Sequence, residues 1–144
     1  MIRKMISADL KAVLQIWLTA NLEAHAFIPA VYWRQNQAVV QKALMQADVY
    51  VYHERGVILG FIGLKDQFIA GLFVAKDARG QGIGSQLLAA VKAKHWRLTL
   101  TVYQQNHQAC HFYQQAGFQV VKVQQDSATQ ATEFLMRWQA PAAN

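Results

Sequence analysis

The sequence predicts an α+β domain: a mixed sheet of six to seven strands, antiparallel on its N-terminal side, with one parallel step and about four helices. Three observations carry that prediction. Segments 48–54, 57–64 and 68–74 alternate in side-chain character and are separated by two tight turns, the pattern of an antiparallel meander. The third segment runs into a glycine-rich stretch, an apolar helical pattern and another strand, and a strand–helix–strand passage of that kind returns as a parallel neighbour. No linker, repeat or low-complexity block interrupts the 144 residues, so one domain spanning 1–144 is expected.

The elements follow in order. Ile2 to Met5 is a short apolar start, and Ser7 is a candidate N-cap for a first helix. Leu10, Val13, Leu14, Trp17 and Leu18 recur at helical spacing and form one apolar face. Pro29 interrupts the pattern within "HAFIPAVYW" (25–33), and residues 30–47 read as a second helix with Val39, Val40, Ala43 and Leu44 inward. Arg55–Gly56 and Lys65–Asp66–Gln67 turn the chain between the three meander strands. A helix over 82–94 buries Ile83, Leu87, Leu88 and Val91, and "RLTLTVY" (97–103) is a strand. A helix over 107–116 stops at Gly117, a favoured C-terminal residue, and 118–124 and 132–138 form a closing hairpin before a loose tail, 141–144.

Composition narrows the function. Hydrophobic residues make up 53% of the chain and charged residues 15%, which folds rather than staying disordered. Lys+Arg 14 against Asp+Glu 8 gives +6 and favours anionic partners. The excess is scattered (Arg3, Lys11, Lys42, Lys65, Lys92 and Lys122 form no run), so nucleic acid stays open as a partner and a small phosphorylated ligand fits equally well. One cysteine, Cys110, excludes an internal disulfide and fits a reducing, cytoplasmic setting. Asp9 and Lys11 break the apolar stretch after Arg3 and Lys4, so no signal-peptide core is expected, and no run reaches the roughly 18 apolar residues of a membrane span.

The chemistry concentrates in "ARGQGIGSQLLAAV" (78–91), with glycines at 80, 82 and 84. Position 85 is Ser, so a dinucleotide fingerprint fails, and no Gly-Lys-Ser/Thr follows, so a P-loop fails too. What remains is a basic residue, a glycine-rich turn and a helix N-terminus. Bare N–H groups converging on the positive end of a helix dipole make an anion cradle, with Arg79 at its mouth. Upstream, Gly71 sits inside a good strand, the mark of a bulge or a close backbone approach. A strand splayed there leaves peptide groups near 72–74 free to pair with an amide-bearing ligand arm.

"LFVAKDARGQGIGSQLL" resembles the acyl-CoA signature of the GNAT superfamily of N-acyltransferases, its core being Arg79-Gly80-Gln81-Gly82-Ile83-Gly84. "NHQACHFYQQAGF" (106–118) resembles that superfamily's second signature, and the element order agrees over essentially the whole chain, which is most similar to small bacterial members. The resemblance implies acetyl-CoA as acyl-donor co-substrate, with the backbone of Phe73 and Val74 pairing with pantetheine. It implies that the amides of Arg79, Gly80, Gln81, Gly82, Ile83, Gly84 and Ser85 hold the pyrophosphate, and that Asn106 hydrogen-bonds the pantetheine. It also implies that Tyr113 stands near the sulfur as the acid for the departing thiolate. Read from the residues alone, Tyr113 also belongs to an apolar stripe with Ala109, Phe112 and Ala116, and Asn106 is also an N-cap.

Two departures stand out. Where many relatives carry a glutamate used as general base, this chain has Ala70, and a frequent proline is replaced by Lys76. His25, Glu23, Tyr32 and Glu54 are candidates for the vacant role. His25 is the first choice, because an imidazole can take a proton at physiological pH. Phe27, Tyr32 and Trp33 surround the break between the first two helices and are candidate acceptor-binding residues or ordinary core. His107, Cys110 and His111 have metal-gripping spacing but no further ligand, so no metal is expected. The reading is an N-acetyltransferase that moves an acetyl group directly to a primary amine. With only eight acidic residues to line a mouth for a polyamine or aminoglycoside, a protein or peptide amine is favoured. A small-molecule amine acetyltransferase, a non-catalytic acyl-CoA sensor and a basic nucleic-acid binder are the alternatives, and the protein is expected as a monomer or homodimer.

Overall fold

The computed structural model describes residues 1–142; of the expected tail, 143 and 144 lie outside the described residues. One seven-stranded sheet organises the chain, in the order β1-β2-β3-β4-β5-β7-β6. Its strands are β1 (Ile2–Lys4), β2 (Asp48–Glu54), β3 (Val57–Lys65), β4 (Phe68–Val74), β5 (Arg97–Tyr103), β6 (Gln119–Gln125) and β7 (Thr132–Gln139). Every neighbouring pair is antiparallel except β4 and β5, the parallel step expected from sequence.

Five helices cover the sheet: α1 (Leu10–Ala24), α2 (Ala30–Gln35), α3 (Gln37–Gln46), α4 (Ile83–Lys92) and α5 (His107–Gln115). The single helix expected over 30–47 is therefore two. Asn36 divides them: its backbone sits at φ −91°, ψ 0°, and its side-chain Nδ2 donates to the Tyr32 carbonyl at 2.7 Å. A short amide that takes a main-chain acceptor in this way competes with the regular helix ladder. Of the four residues expected inward on that stretch only Leu44 is buried, and Val39 is exposed. Ser7 does not cap α1 either. It opens a short 3-10 turn, and Asp9 accepts the Ile6 N–H (2.9 Å) while pairing with Arg3 at 2.6 Å.

The sheet separates two apolar clusters. Leu87, Leu88 and Val91 of α4 pack with Leu98, Leu100, Met136 and Phe118 on one face. Val13, Trp17 and Leu18 of α1 pack with Trp33, Val51 and Phe61 on the other. At about 25 cal/mol per Å² of apolar surface, these two faces supply the main driving force for folding. They also clamp the middle of the sheet from both sides, which holds the divergence of β4 from β5 in a fixed place. Among the described residues no helix is long and apolar enough to cross a membrane.

Candidate active site

The site begins as a failure of strand pairing. β4 and β5 pair only at Phe68↔Thr99 and Ile69↔Leu100, after which β4 leaves its parallel neighbour. The cause is local. On the β3 side, Gly63 faces Gly71 and Leu64 faces Ile69, so Ala70 has no opposite residue and forms a β-bulge, which bends its strand. Beside it, a Cβ on Gly71 would stand 2.6 Å from Cε2 of the Phe73 ring, so a side chain there would displace that ring. Leu72, Phe73 and Val74 thus keep β3 on one edge and have no strand partner on the other. The splay expected from Gly71 is present.

The glycine-rich loop closes one end of that opening. Gly80 and Gly82 take φ of 78° and 80°, the left-handed region that disfavours any residue with a Cβ. Gly82 is the N-cap of α4, and the first helical bond runs from the Gln86 N–H to the Gly82 carbonyl at 3.0 Å. No side chain caps this end, so the N–H groups of Ile83, Gly84 and Ser85 are left for an external acceptor. Arg79 lies at the rim, and its Nη1 donates to Glu23 Oε2 at 3.0 Å, with Lys76 Nζ 3.7 Å from the other carboxylate oxygen. Glu23, Arg79 and the glycine-rich loop line a cavity of about 540 Å³ together with Leu72, Phe73, Val74, Asn106 and Tyr113. Gln81 is exposed and off the cavity wall, and the Ile83 side chain is buried in the core.

A second cavity of about 230 Å³ opens through the splay towards α1 and α2. The two share His25, Leu72, Phe73, Asn106, Ala109 and Tyr113, so they meet at the divergence of β4 from β5. Tyr113 is buried between Phe112 and Phe118, with ring centroids 5.2 and 5.6 Å away, and burial pushes its phenol up from the ordinary value. Its hydroxyl makes no hydrogen bond with the described residues. Cys110, behind it on α5, is buried, and burial likewise pushes its thiol up. It is not held as a thiolate.

His25 and Asn106 form the roof of the junction. Asn106 caps α5, its Oδ1 accepting the Ala109 N–H at 3.2 Å, and its Nδ2 faces His25 Nε2 at 3.2 Å. His25 Nδ1 lies 2.9 Å from Asn21 Oδ1, while Asn21 Nδ2 donates to the Trp17 carbonyl at 2.8 Å. Asn21 therefore offers only an acceptor to the ring, which puts the proton on Nδ1 and directs the Nε2 lone pair at Asn106. Burial lowers the His25 pKa to about 4. Both ring nitrogens are committed, and the imidazole is a poor proton acceptor for an amine.

A stability prediction follows from that burial. The unfolded imidazole has its ordinary value of 6.5 and takes a proton that the folded one refuses until about pH 4. Stability is therefore lost as pH falls from about 6.5 to about 4, by roughly 3 kcal/mol. His25→Gln keeps an amide for Asn21 and Asn106 and removes this titration. Thermal melts at pH 7, 5.5 and 4 should show a smaller acid-induced drop in the variant than in the wild type.

Of the expected acceptor-side aromatics, Trp33 alone lines the second cavity. Phe27 is more than a third exposed and packs its ring on His25 and Tyr103 at 5.7 and 5.6 Å. Tyr32 is half-buried against Trp33 at 4.9 Å. His107 and His111 are exposed, and among the described residues no three His, Cys, Asp or Glu side chains gather to hold a metal. Sequence reasoning missed the acidic side of this cavity. Asp126, in the β6–β7 turn, accepts the Tyr103 hydroxyl at 2.5 Å and the Ala128 N–H at 3.0 Å. Burial would push its carboxyl up, but these bonds and those from Thr129 outweigh burial and hold it below the ordinary value. Glu133 of β7 is the other carboxylate on the wall. Two of only eight acidic residues converge here, and nothing in the spacing of 126 and 133 announced it.

The chain is similar to known proteins over most of its length. Residues 45–120 match the family described as Acetyltransferase (GNAT) domain. The chain is 39% identical over 140 residues to peptidyl-lysine N-acetyltransferase YiaC of Escherichia coli (strain K12), covering 96% of both chains. It is 32% identical over 120 residues to peptidyl-lysine N-acetyltransferase YjaB of the same organism, covering 83% of this chain and 82% of that one. The solution structure of apo YjaB from Escherichia coli superposes with a TM-score of 0.85 at 27% identity, covering 98% of each chain.

Proposed function

The chain belongs to the GNAT family of acetyltransferases and is an acetyl-CoA-dependent N-acetyltransferase; from that premise we propose that its acceptor is a lysine side chain of a protein or peptide. Two relatives similar over most of their length are named for peptidyl-lysine. The observation that carries the reading is the meeting of two cavities at one splay: one has an anion cradle, the other has aromatic walls and two carboxylates. That second chamber fits one ammonium on an apolar stem.

The fit of the first cavity to acetyl-CoA rests on this chain's own groups. The N–H groups of residues 79–85 and the Arg79 guanidinium suit the pyrophosphate, with Gln81 contributing through backbone alone. The free edge of Phe73 and Val74 suits the amide-bearing pantetheine arm, and Asn106 keeps one N–H and one lone pair for it. Bound there, acetyl-CoA supplies an acetyl thioester. A backbone N–H of Phe73 or Val74 stabilises charge developing on the carbonyl oxygen. Tyr113, kept protonated by burial, donates to the sulfur as it leaves. Transfer is direct, because Cys110 is a buried thiol with no activating partner. The single free cysteine also fits a cytoplasmic location.

We assign His25 a positioning role in place of the base role expected from sequence: it fixes the Asn106 amide. His25→Gln should therefore lower kcat/KM without moving the ascending limb of its pH profile, whereas a base role predicts that the limb shifts or disappears. The acceptor is tested by measuring CoA release from acetyl-CoA with lysine peptides, N-terminal peptides, a polyamine and an aminoglycoside. The highest kcat/KM is expected with the lysine peptides, and a preference for the polyamine or aminoglycoside overturns the assignment in favour of a small-molecule amine.

A further inference from the structure

We propose that the Glu133 carboxylate receives the acceptor's ammonium and takes up its proton, the role that Ala70 leaves vacant. The proposal rests on the acceptor being a charged amine in the second cavity. Glu133 is 8% exposed, lies on β7 directly opposite Tyr103 of β5 and Gln124 of β6, and lines that cavity. Gln124 Nε2 donates to its Oε2 at 2.9 Å. Among the described residues Oε1 has no hydrogen-bond partner and the carboxylate has no ion pair. That oxygen is not sealed off, so a cation in the cavity can pair with it. Trp33 faces the same cavity from α2, and its indole N–H is sealed from solvent without an acceptor among the described residues.

The neighbouring groups leave Glu133 as the one available proton acceptor. Asp126 has both oxygens hydrogen-bonded, to Tyr103 and to the Ala128 N–H. His25 is neutral and committed at both nitrogens. Burial pushes the Tyr103 and Tyr32 phenols up, so neither supplies a base. On β6, Lys122 occupies the next position on the same sheet face but forms no ion pair with Glu133. Glu23 is engaged by Arg79 and Lys76, and Glu54 accepts the Tyr52 hydroxyl.

The proton balance closes. The ammonium gives one proton to Glu133, and the amine nitrogen then forms its bond to the acetyl carbon as the carbon–sulfur bond breaks. Nitrogen loses a second proton as sulfur gains one through Tyr113. Glu133 returns its proton to solvent, and one proton is released per turnover.

Glu133→Gln keeps the shape and an acceptor oxygen for Gln124, and a thermal melt checks that it folds; Glu133→Asp, which keeps the charge, should retain the wild-type profile shape. With a lysine peptide the Glu133→Gln kcat/KM should fall on the order of 100-fold at pH 7, within the usual range for a proton-transfer group. The deficit should shrink as pH rises towards the amine's own pKa of about 10, where the amine arrives neutral. Calorimetry with CoA present adds a readout without turnover: Glu133→Gln should weaken binding of the lysine peptide about tenfold and leave the uncharged acetyl-lysine peptide unchanged. A deficit constant across pH, or equal losses for both peptides, overturns the proposal. A wild type that ignores lysine peptides but acetylates another amine overturns the acceptor assignment instead, and the same pH series on that amine still decides the role of Glu133.

Discussion

Gly82→Asp is expected to leave a folded protein that has lost most of its affinity for acetyl-CoA. Gly82 sits at φ 80° at the N-cap of α4, and a Cβ built there meets nothing closer than Gln86 Nε2 at 3.9 Å. Space is therefore not the obstacle. The left-handed backbone costs most L-residues about 1–2 kcal/mol, and Asp and Asn tolerate it better than most. The larger effect is electrostatic: with acetyl-CoA bound as proposed, a carboxylate in the cradle would face the pyrophosphate across a few ångströms. At an effective dielectric of about 20, like charges about 4 Å apart repel by about 4 kcal/mol, and with the loop's exposure to water a loss of about two powers of ten in affinity is expected. Gly82→Asn is the control, because it has the same shape and backbone preference without the charge. Calorimetry with acetyl-CoA should give a small loss for Asn and a large one for Asp. Equal losses would mean that the side chain's bulk, not an anion cradle, governs the site.

That cradle was legible in the sequence because it is local. Left-handed turns need glycine, a helix N-terminus needs an apolar stripe behind it, and both are written within 79–91. The strands were legible for the same reason: strand period and turn residues are short-range signals, and β2 and β4 of the meander and β5 beyond it fall where alternation puts them. Gly71 pointed to a bend, although the bulge itself belongs to Ala70, and only the β3 register reveals which residue lacks an opposite. The acceptor side was not legible. Glu133 meets Trp33 and Asn21 across a cavity made by α1, α2, β5 and β7, a juxtaposition created by sheet order and absent from any local pattern. His25 is the converse case. An imidazole in a connection invites a catalytic reading, but the Asn21 and Asn106 amides occupy both nitrogens, and the long-range partner is 81 residues away.

Tyr113→Phe should lower kcat by about 10²-fold or more, the usual scale for removing a proton-donating group, with acetyl-CoA affinity nearly unchanged. The phenol is the one titratable side chain of α5 that lies at the junction of the two cavities. Burial raises its pKa, which has a definite consequence for mechanism. A phenol harder to ionise than a thiol of pKa about 8.5 does not surrender its proton outright in the ground state. In the proposed role it is a hydrogen-bond donor to sulfur as negative charge develops, and passes its proton on only as the amine nitrogen loses one. The deficit in Tyr113→Phe should therefore stay constant from pH 6 to 9, in contrast to the pH-dependent deficit expected for Glu133→Gln. Packing should survive, because the ring keeps its edge contacts with Phe112 and Phe118 and the hydroxyl gives up no hydrogen bond to the described residues. An unchanged melting temperature with a large fall in kcat identifies the hydroxyl as part of the chemistry. Wild-type turnover, or a fall in kcat matched by a fall in stability, would return Tyr113 to the apolar stripe it shares with Ala109, Phe112 and Ala116.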